Sequence, residues 1–164
     1  MLPILEANVE HLRGWIPARV AEPAPLPQLI ERMAEYSTAF DTGREWRYAL
    51  LATSGARLLG EVSLFPRLAS RRVPFGEADH IEIGYWLRAD ATGQGYATEA
   101  ARAAMDLALS LPNIVRVAIH CDERNFPSAA LPRRLGFHLA ATVEQTACRL
   151  QVWEYEAPRA APTA

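Results

Sequence analysis

The segment RADATGQGYATEAARAAMDLAL, residues 88–109, places two glycines one residue apart directly before a helical pattern. Glycine costs a helix roughly 1 kcal/mol per position relative to alanine, so a pair at this place indicates a local demand on the backbone. The segment predicts an interior helix that follows a strand through a glycine turn. One face of this helix carries small residues that allow close packing against a sheet: Ala97, Ala100, Ala101, Ala104 and Ala108.

The start of this helix is also a predicted anion site. The first amides of a helix have no intrahelical partner, and the helix dipole places positive charge there. Gly93 and Gly95 have no side chains that would keep a bulky anion away. Two interpretations stay open on this segment alone. Either the amides bind a phosphate or pyrophosphate, or the glycines only permit a tight turn between strand and helix.

The rest of the chain shows helices first and then strands joined mostly as hairpins. Two helical stretches precede Gly43, separated by VAEPAPLP, and the second is expected to begin at Pro27. The order predicts one α+β domain over residues 1–157 and a disordered tail at 158–164. The predicted strands are REWRYALLAT, RLLGEVSLF, HIEIGYWLR, VRVAIHC, FHLAAT and CRLQVWEY, with NFPSAALPRRLGF as a short helix ending at Gly136.

Composition limits the partners of such a domain. The 164 residues carry a formal net charge of −2 and give a pI near 6.1, so no basic field favours nucleic acid. Two cysteines far apart in sequence form neither a disulfide framework nor a metal-ligand cluster. No run approaches the ~20 apolar residues of a membrane span, and the N-terminus lacks the basic region of a secretory signal. We therefore expect a cytoplasmic protein without nucleic-acid, membrane or metal partners.

A dinucleotide-binding fold is one alternative explanation of the glycine pair. Its G-x-G-x-x-G fingerprint requires a third glycine, where this chain has Thr98. Only one further strand–helix unit follows the segment, which is too few to build a doubly wound parallel sheet. The sequence therefore disfavours this alternative.

Two motifs taken together carry a family resemblance. EIGYWLRADATGQGYATEA, followed by NFPSAALPRRLGF, resembles the GCN5-related N-acetyltransferase (GNAT) superfamily, and within it the RimJ/RimL-like branch of ribosomal-protein N-terminal acetyltransferases. The resemblance runs from about residue 2 to residue 155. It implies a central mixed, mostly antiparallel twisted sheet that is splayed at the cofactor cleft, with helices on both faces.

The resemblance implies acetyl-CoA (coenzyme A) as the cofactor. In the family, Arg/Gln-x-x-Gly-x-Gly/Ala binds the pyrophosphate through backbone amides, and residues 92–97 match this motif with Thr92 in place of the basic or amide residue. A backbone amide near Trp86 would donate to the thioester oxygen, and Asn125 would bind the pantetheine arm. Arg133 or Arg134 would approach the adenosine phosphates. The implied cofactor-binding residues are Trp86, Leu87, Arg88, Gly93, Gln94, Gly95, Tyr96, Ala97, Thr98, Asn125, Ser128 and Arg133.

The implied reaction moves an acetyl group to a primary amine, either a protein N-terminal α-amine or a small-molecule amine. Glu82 is the first candidate for the base, because a carboxylate among apolar residues is poorly solvated. His120 is the rival, since an ordinary histidine pKa is already about 6.5. The family tyrosine that meets the leaving thiolate falls at Pro132 here, which assigns this role to the hydroxyl of Ser128.

Two departures from the family leave further alternatives open. Relatives usually begin with a strand, whereas this chain opens at helical LEANVEHLRGW, so one sheet edge is expected to lack its first strand. A partner subunit in a homodimer is one way to cover that edge. The changes at Thr92 and Pro132 also permit a non-catalytic, regulatory acyl-CoA-binding domain.

The acceptor side of the fold is less constrained by sequence. The first two helices and the last hairpin would supply Trp15, Arg19, Phe40 and the stretch VEQTACRLQ to an acceptor pocket. The segment with Arg67, Arg71 and Arg72 is expected to be a solvated basic loop.

Overall fold

The computed structural model describes residues 2–55 and 57–157, and the tail predicted for 158–164 lies outside the described residues. Strands predicted from alternation all form, with bounds that differ by a few residues. The helices are α1 Leu2–Leu12, α2 Ala18–Ala21, α3 Leu26–Asp41, α4 Tyr96–Ser110 and α5 Phe126–Arg134. The strands are β1 Trp46–Leu51, β2 Leu58–Leu68, β3 Arg71–Arg72, β4 His80–Leu87, β5 Arg116–Asp122, β6 His138–Glu144 and β7 Arg149–Glu156.

These strands form a sheet in the order β1-β2-β4-β5-β7-β6, with β3 beside the end of β2. Every pair is antiparallel except β4–β5, which is parallel because α4 crosses over between the two strands. That parallel pair is short: only Ile81↔Val117, Glu82↔Ala118 and Ile83↔Ile119 are in register. Beyond Ile83 the strands diverge, so the predicted α+β fold with a splayed sheet is confirmed.

The main core lies between the sheet and α4. Ile81, Ile83 and Ile119 point to this face and are no more than 1% exposed. They pack in one cluster with the buried alanines of α4, among them Ala101 and Ala104. Because each large apolar side chain contributes about 1.5–3 kcal/mol on burial, this contact fixes α4 against the sheet. The helix start is thereby held at the point where β4 and β5 separate.

The opposite face of the sheet is covered by the N-terminal helices. Leu12 and Ala21 pack with Trp86 of β4 in a second, smaller cluster. The helix α3 begins at Leu26, one residue before the predicted start, and a turn with Gly43 at φ +64° follows it. Among the described residues, β1 forms an outer edge and pairs only with β2. How that edge is covered stays a prediction.

The segment expected to be a solvated basic loop is instead ordered sheet. The strand β2 continues through Pro66 to Leu68, and a turn with Ala69 at φ 51° leads into β3. The Arg67 side chain is only 17% exposed and forms an ion pair with Glu82. The expectation is therefore wrong for Arg67, because cross-strand pairing of β2 with β4 places this side chain beside Glu82.

A separate observation concerns membranes. None of the helices described above has both the length and the apolar character that crossing a bilayer requires.

Candidate active site

A cleft of about 1130 Å³ opens where β4 and β5 diverge. Its walls are the divergent strands, the turn before α4 and the first turns of α4 and α5, and α1 closes one end. This volume lies just above the usual range of about 300–1,000 Å³ for small-molecule and cofactor sites. Most of the sequence-predicted site residues line it: Glu82, Trp86, Leu87, Gly93, Gly95, Ala97, Thr98, His120, Asn125 and Ser128.

The glycine turn has the geometry that a tight turn requires, and phosphate binding at its amides stays a prediction. Gly93 and Gly95 adopt φ +73° and +87°, which side-chain-bearing residues rarely adopt. A Cβ at either position would meet no atom within 4 Å, so the space in front of the turn is free. Gly95 caps α4 without a side-chain hydrogen bond, which leaves the amides of Tyr96 and Ala97 available to a ligand, whereas the Thr98 amide donates to the Gly95 carbonyl oxygen at 2.9 Å. The turn requires glycine, and it also presents open donors to the cleft.

Three side chains from the predicted cofactor set are occupied elsewhere. The Arg88 guanidinium donates to Asp90 at 3.0 and 3.1 Å. The Gln94 amide donates to the Asp90 carbonyl oxygen at 3.0 Å, and Tyr96 packs in the cluster that contains Leu87. For Gln94 and Tyr96 the backbone remains available for a role in binding, whereas the Arg88 amide and carbonyl oxygen are themselves paired with Leu59 and Ala91.

The two arginines at the end of α5 point in different directions. Arg133 stacks over the Trp153 ring at 5.0 Å, whereas Arg134 donates to Thr98 Oγ1 at 3.2 Å and lines the cleft. Of the two arginines that the sequence offered for the adenosine phosphates, Arg134 faces the cleft and Arg133 does not, and a contact with the phosphates stays a prediction. Adjacent residues on a helix differ by about 100° in direction, so only one of the two can face the glycine turn.

The strand alternation decides which amides of β4 face the cleft. The Arg88 amide donates to the Leu59 carbonyl oxygen at 2.8 Å, on the β2 side. Amides alternate along a strand, so the Trp86 amide also points to β2, while the amides of Tyr85 and Leu87 point to the divergent side. The thioester-oxygen donor predicted at Trp86 is better placed at these two neighbours, and it stays a prediction.

Glu82 and His120, rival candidates for the base in the sequence, are neighbours in the structure. Glu82 pairs with Ala118 in the parallel register, and His120 follows two residues later on the same face. His120 Nδ1 lies 3.5 Å from Glu82 Oε2, and Arg67 pairs with the same carboxylate. Burial lowers the pKa of His120 below 6.5; Glu82 opposes this shift and Arg67 reinforces it. The imidazole is therefore neutral at neutral pH and able to accept a proton.

The sequence did not single out the hydroxyl of Tyr85, which lies beside the first turn of α5. Asn125 Oδ1 caps this helix by accepting from the Ser128 amide at 3.2 Å. The Tyr85 hydroxyl of β4 lies 2.9 Å from Ser128 Oγ and 3.3 Å from the Ser128 carbonyl oxygen. Burial raises the pKa of Tyr85 to about 12. The signal in the sequence was the alternation Ile81, Ile83, Tyr85, which ends a buried apolar face with a hydroxyl.

The cleft also contains a group of paired charges that the sequence did not single out. Arg47 donates to Glu45 and to Glu61, both at 2.7 Å, and stacks on Tyr36 at 4.2 Å. Arg72 donates to Glu45 at 2.9 Å. Each of these charges has a partner of opposite sign, and Arg47, Glu61 and Arg72 line the cleft.

The predicted acceptor residues are only partly brought together. Trp15 lines the cleft. Arg19 forms an ion pair with Glu35 at the surface, and Phe40 packs edge-on against Tyr48 at 5.8 Å.

Comparison with known sequences gives a family. Residues 4–138 match the family model described as an acetyltransferase (GNAT) domain. The probable N-acetyltransferase YjcK of Bacillus subtilis (strain 168) is 28% identical over 124 residues, which is 76% of this chain. The aligned region spans 65% of YjcK, slightly less than two thirds of its length.

Solved structures with the same fold agree. The RimL ribosomal L7/L12 α-N-protein acetyltransferase in complex with coenzyme A has a TM-score of 0.79 at 18% identity, covering 94% of this chain and 85% of that one. Mycobacterium smegmatis RimJ in complex with CoA-disulfide has a TM-score of 0.77 at 19% identity, covering 94% and 75%. At these identities the likeness establishes the fold, and the family-model match covers most of the sequence. The chain belongs to the GNAT acetyltransferase family.

Proposed function

We propose that this chain is an N-acetyltransferase that moves the acetyl group of acetyl-CoA to a primary amine bound in the same cleft. One observation carries the proposal: a continuous cleft holds the glycine turn at one end and the Glu82–His120 pair further along. The family match, the description of YjcK and the coenzyme A complexes of RimL and RimJ support it. Acetyl-CoA supplies an activated thioester, so the chain has to bind both substrates, accept a proton and stabilise developing charge.

The residues around the glycine turn fit the pyrophosphate of coenzyme A. The amides of Tyr96 and Ala97 have no partner within α4, and the space where Cβ atoms of Gly93 and Gly95 would stand is empty. Arg134 adds a guanidinium beside Thr98. Asn125 uses Oδ1 for the helix cap, which leaves its amide NH₂ to donate to the pantetheine arm. Backbone amides together with one arginine are the usual means of holding such an anion.

We assign to His120 the role of accepting the proton from the attacking amine. With Nδ1–H directed at Glu82, the lone pair on Nε2 is free to accept a proton. Glu82 then stabilises the imidazolium that forms, and Arg67 keeps this carboxylate oriented. An α-amine with a pKa of about 7.7–8.0 gives up its proton to such a base more readily than a lysine amine with a pKa of about 10.4. The alternative, in which Glu82 accepts the proton through water, uses the same two residues in exchanged roles.

Donors for the developing charge come from β4 and α5. The amides of Leu87 and Tyr85 face the divergent side of β4 and are assigned to the thioester oxygen. The Ser128 hydroxyl is assigned to the departing sulfur, in the role that a tyrosine at position 132 has in relatives.

The acceptor is proposed to be the α-amine of a protein N-terminus, with a small-molecule amine as the alternative. The solved relative RimL is described as an α-N-protein acetyltransferase of ribosomal L7/L12, which supports the first choice. Trp15 at the α1 end of the cleft offers an apolar surface for the residues that follow an acetylated amine.

The test is a thiol-release assay with acetyl-CoA against N-terminal peptides and small amines, together with calorimetry for coenzyme A. Turnover with peptides whose α-amine is free, and none with the same peptides blocked at that amine, is the expected result. Turnover restricted to small amines would overturn the choice of acceptor but not the reaction.

A non-catalytic acyl-CoA-binding domain is the second candidate, and Pro132 is the observation that favours it. A proline has no hydroxyl to offer the leaving thiolate. This candidate predicts coenzyme A binding without turnover of any amine, and no effect of Glu82→Ala on binding.

A further inference from the structure

Tyr85 and Ser128 form a hydroxyl pair in the wall of the cleft. The two oxygens are 2.9 Å apart although the residues lie on different elements, β4 and α5. Tyr85 is partly buried against the main core, and both residues line the cleft. Ser128 is also fixed from its backbone side by the Asn125 cap.

Pro132 explains why this pair can form. Proline has no amide hydrogen, so it cannot donate to the carbonyl oxygen four residues earlier in a helix, which here belongs to Ser128. The Tyr85 hydroxyl lies 2.9 Å from Ser128 Oγ and 3.3 Å from that carbonyl oxygen, so its one proton is directed mainly at Oγ, with the carbonyl oxygen as the weaker second acceptor. Pro132 therefore lacks the hydroxyl expected from the family resemblance. It also leaves the Ser128 carbonyl oxygen without its helical donor, so a hydroxyl from the sheet can approach the first turn of α5.

We propose that Tyr85 is a positioning residue: its hydroxyl donates to Ser128 Oγ, which directs the Ser128 proton to the sulfur of coenzyme A. This inference rests on the proposed function. The amine nitrogen forms its bond to the acetyl carbon as the carbon–sulfur bond breaks. The electron pair of the broken bond stays on sulfur, Ser128 donates a hydrogen bond to that charge, and the sulfur departs as part of coenzyme A. The proton lost by the amine goes to His120 and leaves with solvent exchange, so neither hydroxyl has to give up its proton.

The acidity of the groups favours hydrogen bonding over proton transfer. Burial raises the pKa of Tyr85 to about 12. An ordinary thiol has a pKa of about 8.5, so a thiolate is too weak a base to take a proton from Tyr85. Two other titratable groups act on Tyr85: Cys121 on β5 and Arg134 on α5. Burial raises the pKa of the Cys121 thiol, so it is neutral and places no competing negative charge beside Ser128.

A double-mutant cycle tests whether Tyr85 acts through Ser128. Tyr85→Phe removes one oxygen and keeps the ring, and we expect kcat to fall about tenfold to a hundredfold, because a hydrogen bond to a charged group is at stake. The KM for acetyl-CoA is expected to stay within about twofold. In a protein that already carries Ser128→Ala, adding Tyr85→Phe should not lower kcat any further. The matched control is Tyr155→Phe, which removes a hydroxyl from a tyrosine that packs on Phe137.

A second readout does not depend on turnover. The pKa of the thiol of bound coenzyme A is titrated by ultraviolet difference spectroscopy against the complex with desulfo-coenzyme A. We expect this pKa to lie below that of the free thiol and to rise by about one unit in Tyr85→Phe, which corresponds to a tenfold loss. An unchanged thiol pKa, or multiplicative losses in the cycle, would overturn the proposal. Binding without turnover would sink the proposed function alone, whereas absence of binding would sink both.

Discussion

At the level of single residues, the site depends on which side chains the register brings together. Glu82 and His120 are separated by 38 positions in the sequence, where each looked like an independent candidate for the base. The parallel pairing of Glu82 with Ala118 makes them neighbours, with 3.5 Å between Oε2 and Nδ1. With His120 as the base and Glu82 as the group that orients it, substitutions of the two residues should change the rate and its pH dependence in different ways.

His120→Ala should lower kcat/KM by about 10²- to 10⁴-fold, the usual contribution of a general base. In the wild-type protein, burial lowers the pKa of His120, so activity should be lost only as the pH falls below 6.5 and the imidazole becomes protonated. Removing the Glu82 charge removes the main influence that raises this pKa. Glu82→Gln should therefore move the acidic limb of the pH–rate profile to lower pH, with lower activity throughout.

The control for this profile is His138→Ala, which removes an exposed histidine on β6 and should leave the limb in place. A Glu82→Gln protein without activity at any pH, beside a His120→Ala protein that is nearly as active as wild type, would instead identify Glu82 as the base.

At the level of elements, sequence patterns predicted the strands and helices, but they did not predict the directions in which some of their side chains point. Alternation and the alanine face predicted β4, β5 and α4, because burial on one face imposes a period that the sequence displays. The direction of Arg67 was missed, because Pro66 suggested the end of β2 although β2 continues through it. The choice between Arg133 and Arg134 required the phase of α5 relative to the cleft, which tertiary packing sets.

This phase gives a matched pair of variants on one helix. Arg134→Ala should weaken coenzyme A binding about tenfold, because it removes a charge-assisted donor beside the glycine turn. Arg133→Ala should leave that affinity unchanged and lower the free energy of unfolding by about 0.5–1 kcal/mol through loss of its stacking on Trp153. Calorimetry and denaturant titration measure the two effects. If Arg133→Ala weakened coenzyme A binding and Arg134→Ala did not, Arg133 would be the arginine that contacts the cofactor.

The glycine turn provides a second pair, which separates strain from ligand contact. Gly95 and Gly55 have φ +87° and +83°, and a Cβ at either would meet nothing within 4 Å. Alanine at each position should therefore cost roughly 1–2 kcal/mol of unfolding free energy through the left-handed backbone alone. Only Gly95→Ala should also weaken coenzyme A binding, by at least about tenfold, because its methyl group enters the space assigned to the pyrophosphate. Equal affinities in the two variants would mean that Gly95 serves the turn alone.

At the level of the whole molecule, the sheet consists of two halves with a narrow connection. The strands β1, β2 and β4 form one half and β5, β7 and β6 the other, joined by three residue pairs between β4 and β5. The connection is otherwise made through the packing of α4 and α5. The same divergence that creates the cleft therefore leaves amides and side chains on both halves without a partner strand, and a ligand in the cleft would contact both.

This geometry predicts a large thermal response to coenzyme A. A ligand at a hundredfold excess over its Kd adds about 2.7 kcal/mol to the free energy of unfolding, which corresponds to roughly 5–10 °C in the Tm of a domain of this size. Adenosine diphosphate carries the pyrophosphate but lacks the arm that reaches between β4 and β5. At matched fractional saturation it should protect the amides at the start of α4 from hydrogen exchange. Protection of the Tyr85 and Leu87 amides in β4 should appear only with coenzyme A. If adenosine diphosphate protected both regions equally, the arm would not lie between the two halves of the sheet, and the roles assigned to the amides of Tyr85 and Leu87 would be lost.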